Sequence, residues 1–222
     1  MAALINSSPV LRERDLFGQT VMVIGGSSGI GLATARLARA KGANVILAAR
    51  DPDRLHRVGL ELEASIAAFD ATDFGRLGRF FDALSAPIDH LLVTGSGPHY
   101  MPLNGFDLDA ARRDVDAQLL LPLQVARHGA SKVRPGGTLL FTGCTSGRRT
   151  AAGLALTAAL TAALPAMAKS LALEVAPIRV NLIAAGVVGP AEVAALAVHL
   201  MTNTAITGAT FDIDGGQQLI EE

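Results

Sequence analysis

The chain has 222 residues, of which 50% are hydrophobic and only 18% charged, a balance that excludes disorder and supports one sizeable core. Lys plus Arg (19) nearly cancels Asp plus Glu (20), so the net charge of −1 lacks the basic excess of a nucleic-acid or membrane-surface binder. The single cysteine, Cys144, excludes an internal disulfide framework and a cysteine zinc site; aromatics are only 4%, which predicts an aliphatic core, and Tyr100 is the single tyrosine.

Residues Met1–Thr20 carry Arg12, Glu13, Arg14 and Asp15 and lack the apolar run and cleavage site of a signal peptide. Residues 1–15 read as an N-terminal extension of a cytoplasmic protein. Beyond them, aliphatic runs at Thr20–Ile24, Asn44–Ala48, Ser65–Phe69, Ile88–Val93, Thr138–Thr142, Arg179–Ala184 and Ala209–Ile213 predict strands. Ile30–Lys41, Thr72–Ala83, Leu108–Ser131, Ala151–Val175 and Ala191–Met201 predict helices. Continuous apolar strands suit a parallel sheet covered on both faces, and the alternating order predicts a doubly wound α/β fold. No repeat or linker interrupts residues 1–222, so the chain reads as one domain. The uncharged stretch Ala151–Ala168 reaches the length of a membrane span, but its Ala, Thr and Gly content favours a buried or subunit-contacting helix.

The first predicted strand runs into Gly25-Gly26-Ser27-Ser28-Gly29-Ile30-Gly31 and then a helix. Glycines at such a turn let backbone N–H groups approach a pyrophosphate at a helix N-terminus. Strand before and helix after meet the context that a dinucleotide-binding turn of the Rossmann type requires. A ribose 2′-hydroxyl is usually held by an acid at the end of the second strand; here Ala49 stands there, followed by Arg50. Guanidinium meets a 2′-phosphate bidentately, and Ser27 or Ser28 can add hydroxyl donors, which favours NADP(H) over NAD(H). Arg50 also has a plain reading, as the opening residue of the solvated turn Arg50-Asp51-Pro52.

The spacing G-x-x-x-G-x-G resembles the short-chain dehydrogenase/reductase family, and the resemblance runs from Leu16 to Gly216. Asp70-Ala71-Thr72 is similar to its adenine-contacting aspartate segment, and Lys169-Ser170-Leu171-Ala172 with Glu174 to its K-S-L-A-x-E. Arg179-Val180-Asn181 resembles its R-V-N and Asp214-Gly215-Gly216 its D-G-G. The resemblance implies a cofactor site that also includes Gly95 and Gly97 after the fourth strand and Val188 after the sixth.

In that family a Tyr, a Lys four residues on, a Ser thirteen before the Tyr and an Asn on the preceding helix carry proton transfer. Counting back from Lys169, those positions fall on Thr157, Thr161, Cys144 and Asp116. None of the four residue types is retained. Tyr100 is followed four residues on by Asn104, so no other register restores the pair. The N-N-A-G turn is replaced by Thr94-Gly95-Ser96-Gly97, and the substrate-covering segment after the sixth strand is shortened to a few residues before Pro190.

Thr157 and Thr161 share a helical face, where bonding back to their own helix is the plain expectation, and Pro165 predicts a kink. Tyr100 and His99 sit in the loop after the fourth strand, facing the carboxyl ends of the strands. Tyr100 is the leading substitute acid, and Cys144 ends a strand at the same place. An NADP(H)-dependent oxidoreductase acting on a small carbonyl, alcohol or activated alkene by non-standard proton transfer is the first expectation. A dinucleotide-binding pseudoenzyme and a non-redox isomerase or lyase are the alternatives. The Ala-rich helix favours a homodimer or homotetramer, with a small molecule as the only other partner.

Overall fold

Alternating positions along each apolar run point to opposite sides, so a strand of Val, Met and Ile feeds two hydrophobic layers at once. The computed structural model describes residues 16–95, 97, 99–148 and 151–219. Its strands are β1 (Thr20–Ile24), β2 (Asn44–Ala49), β3 (Ser65–Ala68), β4 (Ile88–Val93), β5 (Val133–Cys144), β6 (Arg179–Ala185) and β7 (Thr210–Ile213). They form one parallel sheet in the order β3-β2-β1-β4-β5-β6-β7. The helices are α1 (Gly29–Ala40), α2 (Pro52–Leu62), α3 (Phe74–Asp82), α4 (Leu108–Val115), α5 (Leu121–Gly129), α6 (Ala155–Glu174) and α7 (Pro190–Thr202). Val21 and Val23 pack into the layer with α1, α2 and α7, whereas Met22 and Ile24 enter the layer with α3, α5 and α6. The doubly wound α/β expectation holds.

Three elements differ from the sequence reading. Helix α2 was not predicted, although Leu55, Val58, Gly59 and Leu62 form its buried stripe and Asp51 caps it by accepting the Arg54 N–H at 3.0 Å. Charged residues between those positions dilute the stripe. The single helix predicted over 108–131 is instead α4 and α5 joined by a wide π turn at Asp116–Leu120, where the Leu121 N–H reaches the Asp116 carbonyl. Pro122 has no N–H for the next helical bond, which is why the ladder widens just before it. Strand β5 begins at Val133 rather than Thr138, with a register shift opposite Ile88 and His90.

Helix α6 runs unbroken through Pro165. It is long and apolar enough to cross a membrane by length and composition, and its inner stripe, including Leu160, Leu164, Ala168 and Leu171, is buried. Ala155, Ala159, Ala162, Ala166 and Leu173 lie exposed on the outer stripe.

Arg179 and Asn181, part of the family resemblance, do structural work remote from the cleft. The Arg179 guanidinium donates to the carbonyls of Leu200 (2.7 Å), Met201 (2.7 Å) and Asn203 (2.8 Å), capping the carboxyl end of α7. The Asn181 side chain donates to the Ile206 carbonyl and accepts the Ala209 N–H, fixing the turn into β7.

His90 on β4 is buried, with Nε2 donating to Gln19 Oε1 at 2.6 Å and Nδ1 without a partner among the described residues. Burial first, then the nearby Arg179, pushes its imidazole from 6.5 down to about 4, against the opposing pull of Asp89. The folded state therefore holds no proton there while the unfolded chain takes one below about 6.5, so the stability contribution is complete above that pH. It is lost as pH falls toward 4, by at most about 1.4 kcal/mol per pH unit. Urea midpoints measured between about pH 7 and pH 5 should fall more steeply for the wild type than for His90→Gln. Equal slopes would remove His90 from the acid sensitivity of the fold.

Candidate functional site

Strand order reverses between β1 and β4, and the carboxyl ends of the strands part there to leave a cleft. The turn from β1 into α1 forms one wall. Gly25 lies at φ +85°, and its N–H donates to the Ala48 carbonyl at 2.8 Å. A Cβ at Gly25 would collide with the Thr94 carbonyl and hydroxyl, and one at Gly31 with the Gly25 carbonyl. Thr94, where the family has an asparagine, donates its hydroxyl toward the carbonyls of Ile24 (3.2 Å) and Gly25 (3.3 Å). The hydroxyl thus buttresses the turn from the β4 side.

The other side of this turn faces open space. A Cβ on Gly29, Gly95 or Gly97 would meet nothing within 4 Å. Ser28 caps α1 without a side-chain bond, and no acid occupies the first turn. The N–H groups and positive dipole end of α1 are therefore available to an anion. Ser28 is exposed, Ile30 half-buried at the cleft wall, and Ser27 buried. These features fit the diphosphate of a dinucleotide.

At the edge of the sheet, Ala48 and Ala49 pair with Ala67 and Ala68, bringing Arg50 and Asp70 to neighbouring strand ends. Arg50 is exposed and has no ion-pair partner among the described residues. Asp70 Oδ1 accepts both the N–H and the hydroxyl of Thr72, at 2.9 and 2.7 Å, which shapes the turn around half-buried Ala71. On the opposite side, Ala185 and Gly186 line the cleft, and half-buried Val188 donates its N–H to the Gly186 carbonyl at 3.0 Å. Only 186–189 separate β6 from α7, so the expected shortening of the covering segment is observed.

The structure brings Cys144 and Thr161 together, with Sγ and Oγ1 3.6 Å apart, and Cys144 lines the cleft. Thr157 is buried and donates to the His99 carbonyl at 3.4 Å. The two threonines thus engage groups outside α6 rather than bonding back to their own helix. Tyr100 is 66% exposed, with its ring over Gly153, outside the lining of the cleft.

Two residues escaped the sequence reading. Gln118, with Ala117, reaches the cleft from the π turn, whereas Asp116, matched by counting to the family asparagine, does not line it. The signal was Pro122, which predicts the widened turn that rotates Gln118 inward. Asp114, from the last turn of α4, is buried and holds His99 by two contacts, to its backbone N–H (3.0 Å) and to Nδ1 (2.7 Å).

Comparison with known proteins agrees with this geometry. The family profile described as Enoyl-(Acyl carrier protein) reductase matches residues 24–190. The short-chain dehydrogenase/reductase ATR9 of Stachybotrys chlorohalonatus is 28% identical over 191 residues, covering 76% of this chain and 73% of that one. The cyclic-di-GMP-binding biofilm dispersal mediator protein of Escherichia coli is 30% identical over 178 residues, covering 76% and 73%. Among solved structures, the MalC reductase/Diels-Alderase of Malbranchea aurantiaca superposes with a TM-score of 0.84 at 22% identity, covering 93% of this chain and 98% of that one. BdcA in complex with NADPH gives 0.83 at 26% identity, covering 90% and 94%. By the matched span and the parallel sheet alike, the chain belongs to the short-chain dehydrogenase/reductase family.

Proposed function

We propose that this protein is an NADP(H)-dependent oxidoreductase for a small carbonyl, alcohol or activated alkene, with proton transfer supplied from outside the family's Tyr and Lys positions. The observation that carries this reading is the glycine cradle at the strand-order reversal. It is closed toward Thr94, where side chains would collide, and open toward the cleft at Gly29, Gly95 and Gly97. The N-terminus of α1 and Ser28 would hold the diphosphate, Arg50 the 2′-phosphate, Asp70 and Ala71 the adenine, and Gly186 and Val188 the nicotinamide end. When bound, the nicotinamide supplies or takes up the hydride. The NADPH complex of BdcA supports the same choice of cofactor.

Cys144, Thr157 and Thr161 occupy the positions of the family's Ser, Tyr and Lys. A hydroxyl is a poor acid beside an activated phenol, and no amine stands at Thr161 to change that. Loss of a general acid costs roughly 10²–10⁴-fold, which leaves orientation and hydride transfer in place. A conjugated acceptor needs less help at its oxygen and tolerates that loss best. The buried Thr157 hydroxyl is the observation that favours the alternative, a dinucleotide-binding protein without turnover. We place the protein in the cytoplasm, where a reduced nicotinamide pool is available.

NADPH should raise the melting temperature more than NADH does, and Arg50→Glu should weaken NADPH binding about ten- to a hundredfold while sparing NADH. Equal losses for both nucleotides would remove Arg50 from 2′-phosphate recognition. Loss of NADPH absorbance with a quinone, enone, aldehyde or imine separates the oxidoreductase from the silent binder.

The outer stripe of α6, with Ala155, Ala159, Ala162 and Ala166, allows two helices to approach closely, and we propose a homodimer or homotetramer built on it. Light scattering should report at least twice the chain mass for the wild type and a shift toward monomer for Ala162→Arg. A monomeric wild type would overturn the assembly.

A further inference from the structure

One ionisable pair, outside the cleft lining and beside Thr157, belongs to none of the positions matched to the family. Asp114 is 4% exposed, and both of its oxygens are turned on a single residue. Oδ2 accepts the His99 backbone N–H at 3.0 Å, and Oδ1 lies 2.7 Å from His99 Nδ1. A buried carboxylate is costly unless it is hydrogen-bonded, so these two contacts are what make Asp114 tolerable there. A carboxylate only accepts, so Nδ1 carries the proton facing it and Nε2 is left as the exchanging nitrogen. The His99 side chain is 66% exposed, and Nε2 has no partner among the described residues.

The loop that carries His99 meets the position where the family's proton donor would stand, although His99 itself is not part of the cleft lining. Thr157, at the tyrosine position, donates its hydroxyl to the His99 carbonyl. Gly97, two residues before His99, lines the cleft, as do Ala117 and Gln118 just beyond Asp114. A carboxylate that only stapled the loop would need the backbone N–H alone. The second contact, at Nδ1, fixes the ring. Tyr100 has no comparable partner: its ring lies over Gly153, and its hydroxyl makes no hydrogen bond among the described residues.

We propose that His99 is the catalytic proton donor and acceptor for the substrate oxygen, with Asp114 as its positioning residue. This rests on the oxidoreductase reading above. In the reducing direction the carbonyl carbon receives the hydride, its π pair moves to oxygen, and that oxygen takes the proton from Nε2 of the His99 imidazolium. Neutral His99 keeps its Nδ1 proton on Asp114 and regains one at Nε2 from solvent. One hydride and one proton are consumed per alcohol formed, and oxidation runs the same transfers in reverse.

The test pairs ¹⁵N-correlation spectra of the histidine rings with kinetics. In the wild type with NADP bound, His99 should show the proton on Nδ1, and Asp114→Asn should shift it toward Nε2. With an acceptor that consumes NADPH, His99→Gln should lower kcat roughly 10²–10⁴-fold and leave stabilisation by NADPH unchanged. His99 is exposed, so this variant keeps the fold even if Asp114→Asn does not. A wild-type proton on Nε2, or turnover of His99→Gln within about threefold of the wild type, overturns the proposal while leaving the oxidoreductase reading intact. Loss of turnover in Tyr100→Phe with retention in His99→Gln also overturns it. If the wild type neither binds nor consumes NADPH, the oxidoreductase reading fails first and the dyad falls with it.

Discussion

The architecture of the cleft depends on how closely the β1–α1 turn approaches the end of β4. Gly25, Gly31 and Thr94 meet there with no room for another Cβ, and Thr94 completes the contact with a hydroxyl aimed at two carbonyls of the turn. A side chain on either glycine would push α1 away from β4 and open the layer that packs Ala35 and Ala38 against the sheet. The same approach aims the first turn of α1 across the cleft. The geometry of the turn and the packing of the core are therefore one constraint.

The second half of the sheet is held by a different device. Arg179 sits at the start of β6 and caps α7, and Asn181 ties the segment before β7. Gln217 then clasps Val187 from both sides, accepting its N–H at 3.1 Å and donating to its carbonyl at 3.2 Å. With β6 and α7 separated by four residues, these bonds fix the short connection. The cleft is lined mainly by the ends of β4 and β5, the segment after β4, and the π turn with the start of α5.

Much of this was legible in the sequence because it rests on local patterns. Apolar runs gave all seven strands to within a few residues, except the early start of β5, and the glycine turn marked the helix dipole that follows β1. Helix α2 was obscured because its apolar stripe is diluted by Arg, His and Glu on the solvent face. The break at 116–120 was hidden by a helical composition that continues on both sides, with Pro122 as the only local sign. The His99–Asp114 pair had no local sign at all, since a loop and a helix fifteen residues apart must meet before a common histidine gains a buried partner.

Binding and proton transfer are separable demands on this scaffold. Hydride transfer needs a dinucleotide fixed at the strand-order reversal, and that is determined by backbone: glycines, a helix end and a strand order. Proton transfer needs only one ionisable group within reach of the substrate oxygen, and many elements surround the cleft from which it can come. A tyrosine on α6 depends on a lysine one turn away. A histidine on the β4 loop depends instead on a carboxylate from α4, and Thr157 then has nothing left to do but hold that loop by its carbonyl. The position matched to the family's tyrosine and the His99–Asp114 pair are thus physically connected, because the Thr157 hydroxyl donates to the His99 carbonyl while Asp114 holds the same residue from α4.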